Sequence, residues 1–495
     1  MFGRIALSIA IGLSTLTAQS IPDRPEKLTF PELNFQVPRE RDFKDALRNR
    51  VPVYISHDAT TAPIVRLSIM WRGGSYIVPA NKEGLAGYFG SLLTSSGSTK
   101  MDLDRQEEIL ESLAASINSN CGSTSGSISM TCMVKDFDQV FEILMNCFLD
   151  PAFRQDRLDL AKRNSMRGIE TLNDTVGSIS SYQMGYLLNG ENHFSTRAST
   201  PASINSITRD DLLAFHQRIL HPQNFVITVT GNFDKKTIMD KLNATVGAMR
   251  PSREAEVSSK VPAPEHTRTP GIYVVDKADA PQAQVQWAFP GMRRNDPDWY
   301  AATVMNNILG AGGFTSRLTS KIRSDEGLTY GIRSGISSGT HWLGDATGSS
   351  QTSNNTVAYL MKLALAEMDK LKNEPVSAKE LQDTKDGIIS SFPSRWTKTG
   401  TVSTFASEAL DGLPEGYWLN YREKIQAVTI ADVQRVANRL LNFNNIIILA
   451  VGNAGQIEAG DVDRPVRMTE LLPSLSSHRQ LRNLPLRDPN TRRPM

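Results

Sequence analysis

Cysteine is scarce in this chain, with three residues in 495. That scarcity excludes a disulfide-built scaffold, and the lack of any C-x-x-C pair or Cys/His ladder excludes a finger-type structural zinc module. Neither sign of charge dominates: 54 Lys and Arg stand against 52 Asp and Glu, a formal charge of +2. No global basic field is therefore available to hold nucleic acid or an anionic membrane. Beyond residues 1–20 no stretch approaches the roughly 20 apolar residues that a membrane-spanning helix needs. With 40% hydrophobic and 21% charged residues, the chain has the composition of a globular protein whose core must come from apolar packing.

The start of the chain, Met-Phe-Gly-Arg, leads into an apolar run from Ile5 to Leu16 and a small-residue exit at Ala18-Gln19-Ser20. This reads as a secretory signal, cleaved after Ser20 to leave a soluble, exported (periplasmic) chain from Ile21, with a short uncleaved anchor as the alternative. In an oxidising compartment the cysteines need an account. Cys121 and Cys132 flank the turn-rich GSTSGS between two runs able to pair as antiparallel strands. Two readings stand, a cross-strand disulfide or two small buried residues. Cys147, inside the helical pattern FDQVFEILMNCFL, reads as core.

An internal repeat sets the architecture. SITRDDLLAFHQRILHPQNFVITVTGNF (206–233) aligns without a gap to AVTIADVQRVANRLLNFNNIIILAVGNA (427–454), so that Thr208, Asp211, Arg218 and Asn224 fall on Thr429, Asp432, Arg439 and Asn445. Each copy reads as a Thr N-cap, an amphipathic helix, an Asn turn and a continuous apolar strand ending in Gly. The starts of the two halves agree as well, since the runs from Val65 and from Ala283 both alternate as strands. The expected class is α+β, with two homologous domains, each a mainly antiparallel sheet covered by helices. The expected boundaries are a signal at 1–20, domains at 21–250 and 271–455, a Pro- and Ser-rich linker at 251–270, and a loosely ordered basic tail at 456–495.

With that duplication, GGSYIVPANKEGLAGYFGSLLTSSGST (73–99) resembles the insulinase, pitrilysin and mitochondrial-processing-peptidase family of metallopeptidases. The family pattern is G-L-A-H-x-x-E-H followed by L-x-x-x-G-(S/T). Gly84-Leu85-Ala86, Leu93 and Gly97-Ser98-Thr99 match it, but the inverted zincin motif falls on Gly87-Tyr88-Phe89-Gly90-Ser91. That chemistry requires two imidazoles one helical turn apart on Zn²⁺ and a carboxylate to polarise its water. Glycine offers no donor and Ser91 only a hydroxyl. At the family's spacing the third ligand, a Glu, falls on Gly168, with Glu170 two positions on and on another helical face. The seven histidines include no i, i+4 pair that could rebuild the site.

The second half keeps what the first has lost. ILGAGGFTSRLTSKIRSDEGLTYGIRSG (308–335) resembles the family's L-G-G-G-x-x-S-R-L segment, in which an Arg and a Tyr seven positions apart help to bind substrate opposite the zinc. Arg323 and Tyr330 fall on those positions, and Gly312 and Gly313 on the turn where backbone can approach a peptide. The alternative is a surface pairing of Arg323 with Asp325 or Glu326 and a half-buried Tyr330. The resemblance implies a non-catalytic subunit, forming half of a clamshell chamber, with no cofactor of its own and zinc in a homologous partner subunit of a heterodimer that cleaves peptides. The other class is a structural or peptide-binding scaffold, like the core subunits that resemble this family in respiratory complexes. Gly335-Ile336-Ser337-Ser338-Gly339 satisfies G-x-S-x-G, but no helix is expected after it, so a serine nucleophile is not.

Overall fold

The computed structural model describes residues 24, 34–58, 60, 62–251 and 260–495. The expected export signal at 1–20 lies outside them. Val37–Met495 holds both halves of the repeat in a single compact unit.

The first half contributes strands β1 (Lys44–Ala46), β2 (Pro52–His57), β3 (Ile64–Arg72), β4 (Ser116–Cys121), β5 (Ser125–Met133) and β6 (Phe225–Gly231). Its helices are α1 (Leu85–Ser95), α2 (Leu103–Ser112), α3 (Phe137–Leu149), α4 (Gln155–Glu170), α5 (Val176–Asn189), α6 (Pro201–Ser206), α7 (Arg209–Ile219) and α8 (Lys235–Ala244). The second half contributes β7 (Gly271–Asp276), β8 (Ala283–Pro290), β9 (Met292–Arg293), β10 (Ile332–Ile336), β11 (Ser338–Gly339), β12 (Asp345–Thr352), β13 (Ile447–Gly452) and β14 (Leu481–Asn483). With them come α9 (Trp299–Asn306), α10 (Val357–Asn373), α11 (Ala378–Ser391), α12 (Lys398–Asp411), α13 (Tyr421–Gln426), α14 (Ile430–Leu440) and α15 (Ala454–Ala459).

The two six-stranded sheets have the same plan, β1-β2-β6-β3-β5-β4 and, read from its far edge, β14-β7-β13-β8-β12-β10. In each, the repeat's final strand pairs parallel on one side, with β2 or β7, and antiparallel on the other, with β3 or β8. The expected class is therefore borne out, α+β with mainly antiparallel sheets. The helix that feeds each final strand starts from the same capping box. Thr208 and Asp211 exchange side-chain and backbone hydrogen bonds at α7, and Thr429 and Asp432 do so at α14. The Thr429 hydroxyl, then Arg435, hold the Asp432 carboxyl down at about 2.

Burial explains why β6 and β13 read as continuous apolar runs while their neighbours alternate. All six residues of β13 and the first six of β6 are buried, whereas β3 and β5 alternate buried and accessible positions. A strand covered on both faces loses the period-two pattern. The second cover is exchanged between halves: α12 lies over β6 and β2, and α5 lies over β13 and β8. Ile179, Met184 and Leu188 of α5 pack with Tyr273, Val275, Leu449 and Val451. In return Phe405 of α12 sits 6.2 Å from the ring of Tyr54 on β2. Arg72 of β3 donates from Nε to the carbonyl of Leu410 (2.9 Å) and from Nη2 to that of Ala409 (2.7 Å). It thus satisfies C-terminal carbonyls of α12 that have no partner within the helix.

One expectation is corrected and one open alternative is decided. The tail over 456–495 is docked, not loose. β14 pairs parallel with β7, Leu484 and Leu486 pack on the α5 cluster, and Arg487 reaches Glu191 at 2.5 Å and the Tyr186 ring at 5.0 Å. Its Pro and Arg content suggested disorder, but the spacing of Leu481, Leu484 and Leu486 supplies an apolar side that the composition hides. Of the two readings left open for Cys121 and Cys132, the disulfide does not form, and all three cysteines are free. The register sets Cys121 opposite Gly126 and Cys132 opposite Val65. Six positions of strand, about 20 Å, separate the two thiols along the sheet. Burial raises Cys121 and Cys147 to about 12 and Cys132 to about 11, so they behave as small packed residues. Among the described residues no helix is long and apolar enough to cross a membrane.

Ile179 is fully buried against the other half's sheet, so Ile179→Ala should cost about 2–5 kcal/mol in urea unfolding. Hydrogen exchange should show the lost protection in β13 as well as in α5, and deleting 481–495 should deprotect the same amides. Glu408 on α12 accepts from the Trp418 indole, and burial pushes its carboxyl up to about 7. A raised carboxyl makes the fold bind more protons than the unfolded chain. Stability should therefore fall as pH rises from about 4.5 through about 7, and Glu408→Gln should flatten that slope in a pH series of melting curves.

Candidate functional site

The positions expected to hold zinc lie on α1 and α4, two helices packed side by side. α1 forms because Leu85, Ala86, Phe89, Leu92 and Leu93 give it a buried stripe. The Phe89 ring lies 6.0 Å from Trp71 and 5.0 Å from Phe215. Gly84, left-handed at φ +104°, opens the helix. This scaffold places Gly87 and Ser91 one turn apart on the accessible side and Gly90 inward, with Gly168 accessible near the end of α4.

The site does not fit a zinc ion, and for a reason beyond missing donors. A Cβ added at Gly90 would come within 2.2 Å of the Cys121 backbone nitrogen and 2.7 Å of the Asn120 carbonyl carbon. The helix and β4 are thus in backbone contact where a general-base side chain would need room. Ser119 on β4 donates to the Gly90 carbonyl (2.6 Å) and lies 2.9 Å from the Thr94 hydroxyl, stitching the two elements together. By contrast, Gly87 and Gly168 face open space, where a Cβ would meet nothing within 4 Å. Ser91 sits over its own helix, 3.3 Å from the Tyr88 carbonyl. Among the described residues no group of three or more His, Cys, Asp or Glu is placed to hold a metal. Two of the histidines are engaged elsewhere: His216 is buried against the Phe148 carbonyl at 2.7 Å, and His193 bridges Ser195 and the Pro262 carbonyl.

Arg323 and Tyr330 are brought together. Arg323 lies in a π-helical turn, Thr319–Asp325, close after a second one, Asn307–Ala311; such wide turns are rare and concentrate at functional sites. Between them the chain must pass a tight corner. Gly312 has no room for a Cβ, which would meet the Asn307 carbonyl oxygen at 2.6 Å, and Gly313 is left-handed at φ +68°. The Arg323 guanidinium lies over the Tyr330 ring at 4.9 Å. Its other stacking partner is not foretold by the sequence: Phe314 lies 4.5 Å from the guanidinium. The only trace of Phe314 in the sequence is an aromatic residue directly after a Gly-Gly corner.

The alternative surface pairing of Arg323 does not occur. Lys321 takes both acids, at 3.9 Å from Asp325 and 3.0 Å from Glu326. Arg323 makes no ion pair or hydrogen bond among the described residues. Tyr330 is 90% exposed and Phe314 69% exposed, so neither ring is held by a core. A guanidinium held by aromatic rings can still use its N–H groups as donors, because cation–π attraction takes up none of them. The G-x-S-x-G match is closed off, because two short strands follow one another there and the Ser337 hydroxyl contacts both the amide (2.8 Å) and the carbonyl (3.2 Å) of Asp345.

Side-chain volume at the two helical glycines separates these geometries. Gly90→Ala should destabilise by about 1–3 kcal/mol because backbone must move, whereas Gly87→His should stay within about 0.5 kcal/mol. Chemical denaturation of both variants checks the pair. A chain carrying Gly87→His, Gly90→Glu, Ser91→His and Gly168→Glu together should still not retain one zinc per chain after dialysis, measured by elemental analysis.

Comparison with known proteins agrees with this geometry. Residues 53–180 match the model of the insulinase family, peptidase family M16, and residues 206–388 match that of the peptidase M16 inactive domain. A non-peptidase homolog, YmxG of Helicobacter pylori, is 24% identical over 409 residues, 82% of this chain and 92% of that protein. A peptidase M16 inactive domain from Pseudomonas fluorescens superposes with a TM-score of 0.74 at 22% identity, covering 83% of this chain and 98% of that one. The periplasmic protease PqqL of Escherichia coli gives a TM-score of 0.67 at 16% identity, over 86% of this chain and 48% of its own. With the duplicated sheets, the α1 segment and the Arg323–Tyr330 corner in place, the chain belongs to the insulinase family of peptidases, M16.

Proposed function

We propose that this chain is a non-catalytic M16 subunit that works beside a homologous, zinc-bearing partner. In that assembly it supplies the second half of a peptide-enclosing shell. The observation that carries the reading is the contrast between the two sites. At Gly90 the helix is closed on β4, so this half cannot house the hydrolytic centre. At Arg323 a half-buried guanidinium lies over an exposed phenol ring, and neither side chain has a hydrogen-bonding partner among the described residues. A guanidinium can hold a peptide carbonyl or carboxylate, and a phenol can donate to the oxyanion formed when water attacks a scissile carbonyl. Arg323 and Tyr330 would do so on a peptide bound by the partner, with Gly312 and Gly313 letting backbone come close. Export to the periplasm belongs to the same reading and is supported by the leader-like residues 1–20 and by the periplasmic neighbour PqqL.

The second reading, a scaffold or peptide-binding pseudo-peptidase without a part in catalysis, is favoured by the name of the H. pylori relative, a non-peptidase homolog. It differs in what Arg323 and Tyr330 do. The chain alone should show no peptidase activity in either case. Mixed with a zinc-bearing homologue from the same cell, it should restore cleavage of a quenched peptide. Tyr330→Phe and Arg323→Ala should then lower kcat about 100- to 1000-fold, the range for removing an oxyanion donor. Unchanged kcat in an assembly that still forms, judged by sedimentation, would leave only the scaffold reading.

A further inference from the structure

Beside Tyr330 the open face of the second sheet forms a groove of about 660 Å³. Its walls are amides, hydroxyls and backbone from β8, β12 and the turn before β10, and Arg333 is its one charged side chain. No acidic residue lines it. Arg333 is exposed and, like Arg323, makes no ion pair or side-chain hydrogen bond among the described residues. Across the sheet it stands in register with Ser349, which in turn faces Gln286. The nearest acids in sequence, Asp325 and Glu326, are taken by Lys321, and Tyr359 also donates to Glu326 at 3.2 Å.

Tyr330 belongs to this groove and also forms one side of the Arg323 stack. An anion entering the groove would thus find Arg333 inside it and the Phe314–Arg323–Tyr330 stack at its margin. Both guanidiniums are without an ion-pair partner among the described residues, and that of Arg323 lies against two rings with no hydrogen-bond acceptor of its own. The fork of an unpaired guanidinium matches a carboxylate, which accepts two parallel N–H bonds, better than it matches a single carbonyl oxygen. The amide and hydroxyl walls can serve the backbone of an extended chain without adding a charge preference.

We infer that the groove is a carboxylate-selective subsite, through which Arg333, with Arg323 at its margin, recognises acidic extended peptide segments. This rests on the reading that the Arg323–Tyr330 corner faces peptide. It adds the chemical class that the corner prefers. The carboxylate could come from Asp or Glu side chains or from a peptide C-terminus.

Fluorescence anisotropy with the purified full chain and labelled 12-residue peptides separates the outcomes. The probes are a peptide with three Glu and an amidated end, its Gln counterpart with an amidated end, the Gln peptide with a free end, and a Lys counterpart. The Glu peptide should bind at least about tenfold more tightly than the amidated Gln and Lys peptides, with the margin shrinking as salt is raised. Arg333→Gln should abolish that margin while leaving the affinity for the Gln peptide unchanged. If the free-ended Gln peptide matches the Glu peptide, the carboxylate that is read is terminal. Equal affinity for the Glu, Gln and Lys peptides would overturn carboxylate selectivity and leave the peptide-facing reading intact, as would a margin that survives Arg333→Gln. Failure of all four peptides to bind would overturn both.

Discussion

Each sheet of this protein is closed on its second face by a helix from the other half. A sheet with helices on one side only leaves a face that must be either polar or covered. Here the cover is reciprocal, α5 over β13 and β8, α12 over β6 and β2. The fully apolar sequences of β6 and β13 follow from it, since neither strand could hold such a face in water without a large loss of stability. Neither half can bury its own central strands alone, so the repeat is a structural unit only as a pair. Arg72, which ties β3 to the end of α12, and the tail strand β14, whose following residues clasp α5, reinforce the same exchange.

The exchanged helices cover only part of each sheet, and what they leave open decides where chemistry could sit. Beyond α5, the second sheet presents Gln284, Gln286, Ser349 and Gln351, with Arg333 on the edge strand. In the first half α1 approaches β4 at the corresponding edge. There the absence of a side chain at Gly90 has been absorbed by the fold: helix and strand touch, and Ser119 and Thr94 bind across the contact. A motif that had lost its donors but kept its spacing would leave a vacant cradle. This one is filled by backbone at the general-base position, Gly90, although Gly87 and Gly168 still face open space. The change is therefore coupled to packing, and side chains alone would not reverse it.

How much of this the sequence discloses depends on the distance over which each interaction acts. The capping boxes at Thr208 and Thr429 and the apolar strands that follow them are local, and the two copies could be recognised within about 28 residues each. The paired halves, the α+β class and the family resemblance follow from that level. What the sequence left open or missed concerns register and docking. Cys121 and Cys132 look like partners across a turn until the hydrogen-bond ladder is known, because a strand's composition does not say which residue faces which. The tail is held by Glu191, Asn173 and Gln183, all roughly 300 positions away. No local pattern could name them. The same holds for Phe314, whose stacking on Arg323 depends on two π-helical turns that no periodicity foretold.

Stability considerations sharpen the meaning of that last arrangement. Phe314 and Tyr330 are among the most exposed large apolar residues of the described chain. Their stacking on Arg323 can contribute only about 0.5–1 kcal/mol per contact at an exposed site. Two glycines shape the corner, one without room for a Cβ and one left-handed, and the backbone on either side departs from regular helix. Folding gains little from holding two aromatic rings and an unpaired cation in water. Several arginines of the same chain are engaged by partners: Arg317 holds Glu380 with two bonds, Arg439 holds Asp296 and Asp298, and Arg72 and Arg487 fasten the two halves. Arg323 differs from these in meeting aromatic rings where they meet acids or carbonyls, so its arrangement adds little to the stability of the fold.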